Sequence, residues 1–250
     1  MRKYGLIGYP LGHSFSKKYF TGKFAAEHIS DCSYDNYALS SIDEFPSLVA
    51  SDDEFCGFNV TIPYKSEILR YADHSDDMVK NIGAANVVRI KRAGGKSKIY
   101  AYNSDVTGIR ESLKDFFTMG KWNALVLGTG GASKAVTWTL KDMGFSVLTV
   151  SRSKGLGNLC YDELGPELID RTDLIVNTTP LGMFPDTLSK PELDYSLLGS
   201  RHTLFDLVYN PELTAFLIMG KERGCRIITG LKMLYAQAER SWAIWNDPSF

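Results

Sequence analysis

The residues of this chain best suited to chemistry begin at a glycine cluster, Gly128-Thr129-Gly130-Gly131-Ala132. It ends the apolar run Ala124 to Leu127 and opens a helix over Ala135 to Met143. Glycines at the end of a strand let the backbone approach a pyrophosphate, and the helix start turns unpaired N–H groups and a positive dipole end toward it. A glycine turn that binds nothing has the same pattern, and Ser133 stands where the dinucleotide fingerprint has Gly or Ala. About twenty residues further on, where an acid would bond the ribose hydroxyls of NAD, the sequence reads Ser151-Arg152-Ser153-Lys154. An arginine between two hydroxyls accommodates a 2′-phosphate, so the cofactor expected here is NADP.

A second set of polar residues lies upstream. Ser14 and Ser16 stand at a helix entrance, where one of them can simply be the N-cap. Asn59 and Thr61 alternate with apolar residues and so share one side of a strand. That strand runs into Pro63 and a helix, which places Lys65 in the first helical turn, where a cation opposes the helix dipole unless another role compensates. A solvated surface lysine is the plainer reading. Asn86 is either a turn residue or a ligand contact, and Asp105 either caps the helix Val106 to Phe117 or offers a carboxylate to a site.

These residues need a scaffold, and 250 positions are enough for two domains of ordinary size. In the first part, strands are expected at Tyr4 to Gly8, Tyr34 to Leu39, Gly57 to Ile62 and Ala84 to Val88, with a hairpin completed by Ile99 to Tyr102. Helices run up to about His28, over Ile42 to Ala50 and over Ser75 to Ile82. From Asn123 onward, strands at Ala124, Ser146, Leu174, Thr203 and Arg226 alternate with helices, one of them Pro211 to Arg223, the signature of a parallel sheet. The last segment, Gly230 to Asn246, carries Leu231, Leu234, Ala238, Trp242 and Trp245 on one helical stripe.

Composition narrows the partners. With 28 basic and 29 acidic side chains, a formal net charge of -1 makes no field to draw nucleic acid or an anionic membrane, so a small molecule is expected. The four cysteines form no Cys-x-x-Cys and the four histidines show no metal-ligand spacing, which argues against a metal or a disulfide framework and for a reducing cytoplasm. Neither a signal peptide nor a membrane span is legible.

Taken together, the motifs resemble the shikimate dehydrogenase family over nearly the whole chain. They are His-Ser-x-Ser at 13 to 16, Asn-Val-Thr-x-Pro-x-Lys at 59 to 65, Asn86, Asn-x-Asp at 103 to 105, the glycine turn, Asn177 to Met183, Asp206 to Pro211, and Gly230 to Gln237. The resemblance implies an α/β substrate domain over 1–104, a doubly wound, Rossmann-like NADP domain over 105–229, and a C-terminal helix, 230–250, returning to the first domain. It implies Lys65 and Asp105 as the catalytic pair for reducing 3-dehydroshikimate to shikimate. Ser14, Ser16 and Tyr209 would hold the substrate carboxylate, and Thr61, Asn86, Asp105 and Gln237 its hydroxyls, with Asn59 beside them. Gly128 to Ala132 would cradle the pyrophosphate and Ser151 to Lys154 the 2′-phosphate, with Met183, Leu207 and Gly230 near the nicotinamide. Lys17 stands where the family has proline, and Ser151 and Ser153 replace the commoner Asn and Thr. The rival readings are a quinate/shikimate dehydrogenase that uses NAD and a non-catalytic sensor of the same fold; monomer and homodimer are both compatible.

Overall fold

A computed structural model describes residues 1–11, 15–118 and 120–249. The chain divides into two compact units, residues 1–104 with 238–250, and residues 105–237. The first contains β1 (Arg2–Gly8), α1 (Phe15–Ala26), β2 (Cys32–Ala38), α2 (Phe45–Ala50), β3 (Phe55–Val60), β4 (His74–Ser75), α3 (Asp77–Ile82), β5 (Val87–Ala93) and β6 (Lys96–Tyr102). Its mixed sheet has the order β2-β1-β3-β5-β6-β4, with β1 parallel to β2 and β3, and β5 antiparallel to both of its neighbours.

Strand alternation sends neighbouring residues to opposite faces of this sheet. Ile7 and Val88 join a core with Phe45, Phe58 and Val79, while Tyr4, Leu6 and Val87 join a second core with Phe20, Tyr34 and Trp245. Trp245 comes from the last helix, α8 (Gly230–Asn246), and its indole N–H donates to the Val88 carbonyl at 3.0 Å. A Cβ on Gly57 would sit 2.3 Å from that indole nitrogen, so only glycine lets the helix seat against β3.

The second unit contains α4 (Asp105–Leu113), β7 (Trp122–Leu127), α5 (Gly131–Asp142), β8 (Phe145–Ser151), β9 (Leu159–Cys160), α6 (Pro166–Asp170), β10 (Leu174–Asn177), β11 (Thr203–Asp206), α7 (Ala215–Glu222) and β12 (Arg226–Ile228). All its strand pairs are parallel, in the order β12-β11-β10-β7-β8-β9. Leu125, Leu127, Ile175 and Leu204 meet Ile169 of α6 and Phe216 and Leu217 of α7 in one core. The order reverses between β7 and β10, and open α/β sheets bind ligands at the carboxyl ends of strands at such a switch point. The two α/β sheets match the expected fold class.

Several boundaries differ from the sequence reading, each for a local reason. No helix starts at Pro63: residues 62–66 form a turn and a 3₁₀ helix follows at Glu67–Tyr71. The Lys65 carbonyl accepts from the Ala85 N–H at 2.7 Å, so it is not available to a helical ladder. The helix expected from Pro211 begins at Ala215, because the Thr214 hydroxyl accepts from the Leu217 N–H and caps it there. The helix expected to reach Phe117 ends at Leu113. On α8 the buried residues are Gly230, Met233, Ala238, Ser241, Ile244 and Trp245, whereas Leu231, Leu234 and Trp242 are only half-buried. Residues of α8 up to Gln237 group with the second unit and those from Ala238 with the first, while its buried residues share one face at helical spacing that is turned from the expected stripe. Among the described residues no helix is long and apolar enough to cross a membrane.

Candidate active site

In the first unit the candidate polar residues gather at the end of β3 and the start of β5. Asn59, the penultimate residue of β3, is buried and its amide is fully engaged. Its Oδ1 accepts from the Tyr34 hydroxyl at 2.8 Å, and its Nδ2 donates to Ser241 Oγ at 2.9 Å and to the Asn86 carbonyl at 3.4 Å. Asn86 just precedes β5. Its Oδ1 accepts from the Ser104 N–H at 2.7 Å, which fixes the orientation of the amide, since only the oxygen can accept from a backbone N–H, and its Nδ2 donates to Ser104 Oγ at 3.0 Å. Ser16, in the first turn of α1, hydrogen-bonds the buried Tyr34 phenol and lowers a pKa that burial raises. Ser14 lies outside the described residues.

Thr61 follows β3, its N–H donating to the Ile7 carbonyl and its own carbonyl accepting from Tyr64. Lys65 is half-buried in the turn that Tyr64 anchors, Tyr64 being held by a 2.6 Å bond from its hydroxyl to the Leu39 carbonyl. Because Lys65 precedes the 3₁₀ helix rather than lying in its first turn, the expected conflict with a helix dipole does not arise.

In the second unit Asp105 is the first residue of α4 and is buried, so it lies inside the helix rather than capping it. A carboxylate in a first helical turn is favoured by the dipole. Tyr209 is half-buried beyond β11, and Gln237 turns its Nε2 back onto the Leu234 carbonyl of its own helix at 3.0 Å.

The glycine cluster sits where β7 passes into α5. Gly128 has φ of 113°, and a Cβ there would lie 2.7 Å from Thr178 Oγ1, which is held by its 2.6 Å bond to the Leu127 carbonyl. Gly128→Ala is therefore expected to destabilise the protein by about 1–3 kcal/mol, read as a lower urea midpoint at unchanged m; an unchanged midpoint would mean the loop relaxes freely. Gly130 is the N-cap of α5 and offers no side-chain cap to the first turn, and a Cβ on it would meet nothing within 4 Å. The open space and the uncapped amides fit a pyrophosphate. Ser133, the departure from the fingerprint, donates its hydroxyl to the Gly128 carbonyl at 2.6 Å and so braces the turn.

Ser151 ends β8 with its Oγ accepting from the Ser153 N–H at 3.1 Å, and Arg152, Ser153 and Lys154 are exposed beyond it. The loop is closed by Asn158, whose Oδ1 accepts from the N–H and the hydroxyl of Thr149 at 2.9 and 3.0 Å. Gly230 is packed so that a Cβ would be 2.7 Å from the Leu207 carbonyl, which brings these two candidates together. Met183 is exposed, 45%.

Sequence reasoning gave no role to Tyr34, Ser104 or Ser241, nor to Asn177 and Asp206 beyond their place in two of the motifs. Ser241 could have been noticed as a hydroxyl three residues after Ala238 and four before Trp245, inside an apolar stripe. Asp206 ends β11 fully buried. Its Oδ1 accepts from Asn177 Nδ2 and the Val208 N–H, both at 3.0 Å, and its Oδ2 from the Thr214 hydroxyl at 2.6 Å. It thereby ties the end of β10 to the loop after β11.

Burial pushes the Asp206 carboxyl up from 3.8 to about 6, although all three bonds hold it down. Between those two values the native state keeps a proton that the unfolded chain has lost. Stability is thus greatest below pH 4 on this account and falls by about 3 kcal/mol as pH rises through 6. Asp206→Asn keeps the shape and can meet the same partners if the Thr214 hydroxyl rotates. The variant is expected to lose this slope and to exceed the parent in urea stability at pH 8; an unchanged slope would assign it to other groups.

Residues 6–88 match the family model described as shikimate dehydrogenase substrate binding domain. The chain is 36% identical to a shikimate dehydrogenase (NADP(+)) of Ignicoccus hospitalis over 98% of its own length and 94% of that protein's. A shikimate dehydrogenase crystallised in complex with NADP+ shares the fold with a TM-score of 0.87 at 28% identity, covering 98% of this chain and 90% of that one. The shikimate 5-dehydrogenase of Thermus thermophilus, in complex with NADP(H) and shikimate, gives 0.85 at 28% identity, covering 100% and 96%.

Proposed function

This chain belongs to the shikimate dehydrogenase family, and we propose that it catalyses the NADP-dependent, reversible reduction of 3-dehydroshikimate to shikimate. The observation that carries this reading is that the similarity to relatives named for NADP+ spans both units of the chain. We assign residues 1–104 to the substrate domain, 105–229 to the NADP domain and 230–250 to a helix returning to the former.

When bound, NADPH supplies the hydride. Gly128, Thr129, Gly130, Gly131 and Ala132 hold its pyrophosphate, Arg152 with Ser151, Ser153 and Lys154 its 2′-phosphate, and Met183, Leu207 and Gly230 border the nicotinamide. As the ketone carbon is reduced, its oxygen gains alkoxide character, which calls for a proton and nearby positive charge. The Lys65 and Asp105 pair meets both needs, the ammonium facing the oxygen and the carboxylate orienting the ammonium. Ser14, Ser16 and Tyr209 hold the substrate carboxylate, while Thr61, Asn86, Asp105 and Gln237 hold the hydroxyls. Asn59, with both amide hydrogens engaged, supports Asn86 from behind. A site with this many hydrogen-bonding groups discriminates against analogues that lack the matching hydroxyls. We place the enzyme in the cytoplasm as a monomer or homodimer.

The test is an absorbance assay at the reduced-nicotinamide band with shikimate and with quinate, each with NADP+ and NAD+. Shikimate with NADP+ is expected to give the highest kcat/KM. Preference for NAD+ or quinate would move the protein to the broader quinate/shikimate activity, and no turnover with any pair would leave a sensor.

A further inference from the structure

We propose that Ser241, on the last helix, is a positioning residue that sets the two asparagines of the substrate side in their working orientation. This rests on the assignment of Asn86 to a substrate hydroxyl. Ser241 is fully buried, as is Ser104, and their hydroxyls lie 3.1 Å apart. Ser241 Oγ accepts from Asn59 Nδ2 at 2.9 Å, and Ser104 Oγ accepts from Asn86 Nδ2 at 3.0 Å. The two hydroxyls therefore bridge the two amides through one continuous set of hydrogen bonds.

The set has a direction. Ser16 bonds the Tyr34 phenol, Tyr34 donates to Asn59 Oδ1, and Asn59 in turn donates to Ser241. Asn59 also donates to the Asn86 carbonyl, at the longer distance of 3.4 Å. With alanine at 241, that long contact is what remains of the amide donors' bonding on Asn59. Its Oδ1 stays on the Tyr34 hydroxyl, but one amide hydrogen has lost its acceptor, and Ser104 loses the hydroxyl 3.1 Å from its own, beside its bond to Asn86. A buried donor without an acceptor is unfavourable, so the local arrangement shifts rather than leaving the N–H bare. The consequence falls on the aim of Asn86, since nothing in the set is part of the glycine turn or the loop after β8.

Ser241→Ala is expected to raise KM for shikimate by about 5–10-fold, the size of one hydrogen bond lost from a small polar site. kcat and KM for NADP+ should stay within about twofold. Because the effect passes through Asn59, the double variant with Asn59→Ala should have a shikimate KM no higher than Asn59→Ala alone. Ile244→Val, a core trimming on the same helix, is the control for mere destabilisation and should leave both KM values alone. If Asn86→Ala raises KM for shikimate while Ser241→Ala does not, or if Ser241→Ala and Asn59→Ala combine additively, the positioning role is overturned and the site reading stands. If Asn86→Ala leaves KM unchanged, the site reading itself falls and the role of Ser241 with it.

Discussion

Lys65→Met is expected to lower kcat by about 10²–10⁴-fold, the range for removing a group that moves a proton in the transition state, while KM for shikimate and NADP+ changes little. Methionine suits the test because it keeps an unbranched apolar stem of similar length and removes only the ammonium. Lys65 is half-buried, so its stem covers neighbouring surface that a shorter residue would uncover. The turn should survive, because it is held by main-chain bonds from Ala85 N–H to the Lys65 carbonyl and from Tyr64 N–H to the Thr61 carbonyl, which the substitution leaves in place. A circular-dichroism melt unchanged beside a kcat that has collapsed is the expected pair of results. A normal kcat with a raised KM would make Lys65 a binding residue and remove it from the proton-transfer step.

The second large effect is expected at the loop after β8. Arg152→Asp should raise KM for NADP+ by about 10²-fold, because it removes charge-assisted hydrogen bonds to a phosphate and sets a carboxylate against it. The effect on NAD+ should stay within about threefold and can be an improvement, since an acid near this place accepts from the ribose hydroxyls of NAD. Stability should hold, because Arg152 is exposed and the loop is closed by other residues, Asn158 on Thr149 and Ser151 on Ser153. Equal losses with both cofactors would mean that Arg152 shapes the loop instead of reading the phosphate.

The second unit was the more legible half. Its strands at Leu174 to Asn177 and Thr203 to Asp206 begin where the pattern placed them, because buried parallel strands are short apolar runs bounded by breaks. The first unit was harder. At Pro63 the local signal for a helix start was sound, yet the Lys65 carbonyl is taken by Ala85, a residue twenty positions on that no local pattern announces. Thr214 likewise caps α7 so that it starts at Ala215, four residues after the expected Pro211, and its hydroxyl also serves the buried Asp206.

The amino-acid sequence alone determined the α/β class, the glycine turn with its following basic loop, and the kinship of the motifs, because periodicity and contiguous residue types encode these within a few positions. Tertiary structure decided which polar groups are committed and which remain to face a ligand. Asn59 looked like a substrate contact beside Thr61; only the arrival of Ser241, 182 residues later, and of Tyr34 shows that its amide is already engaged. Hydrogen-bond commitment depends on pairs far apart in sequence, and burial makes each such pair obligatory, so that information exists only once the chain has closed on itself.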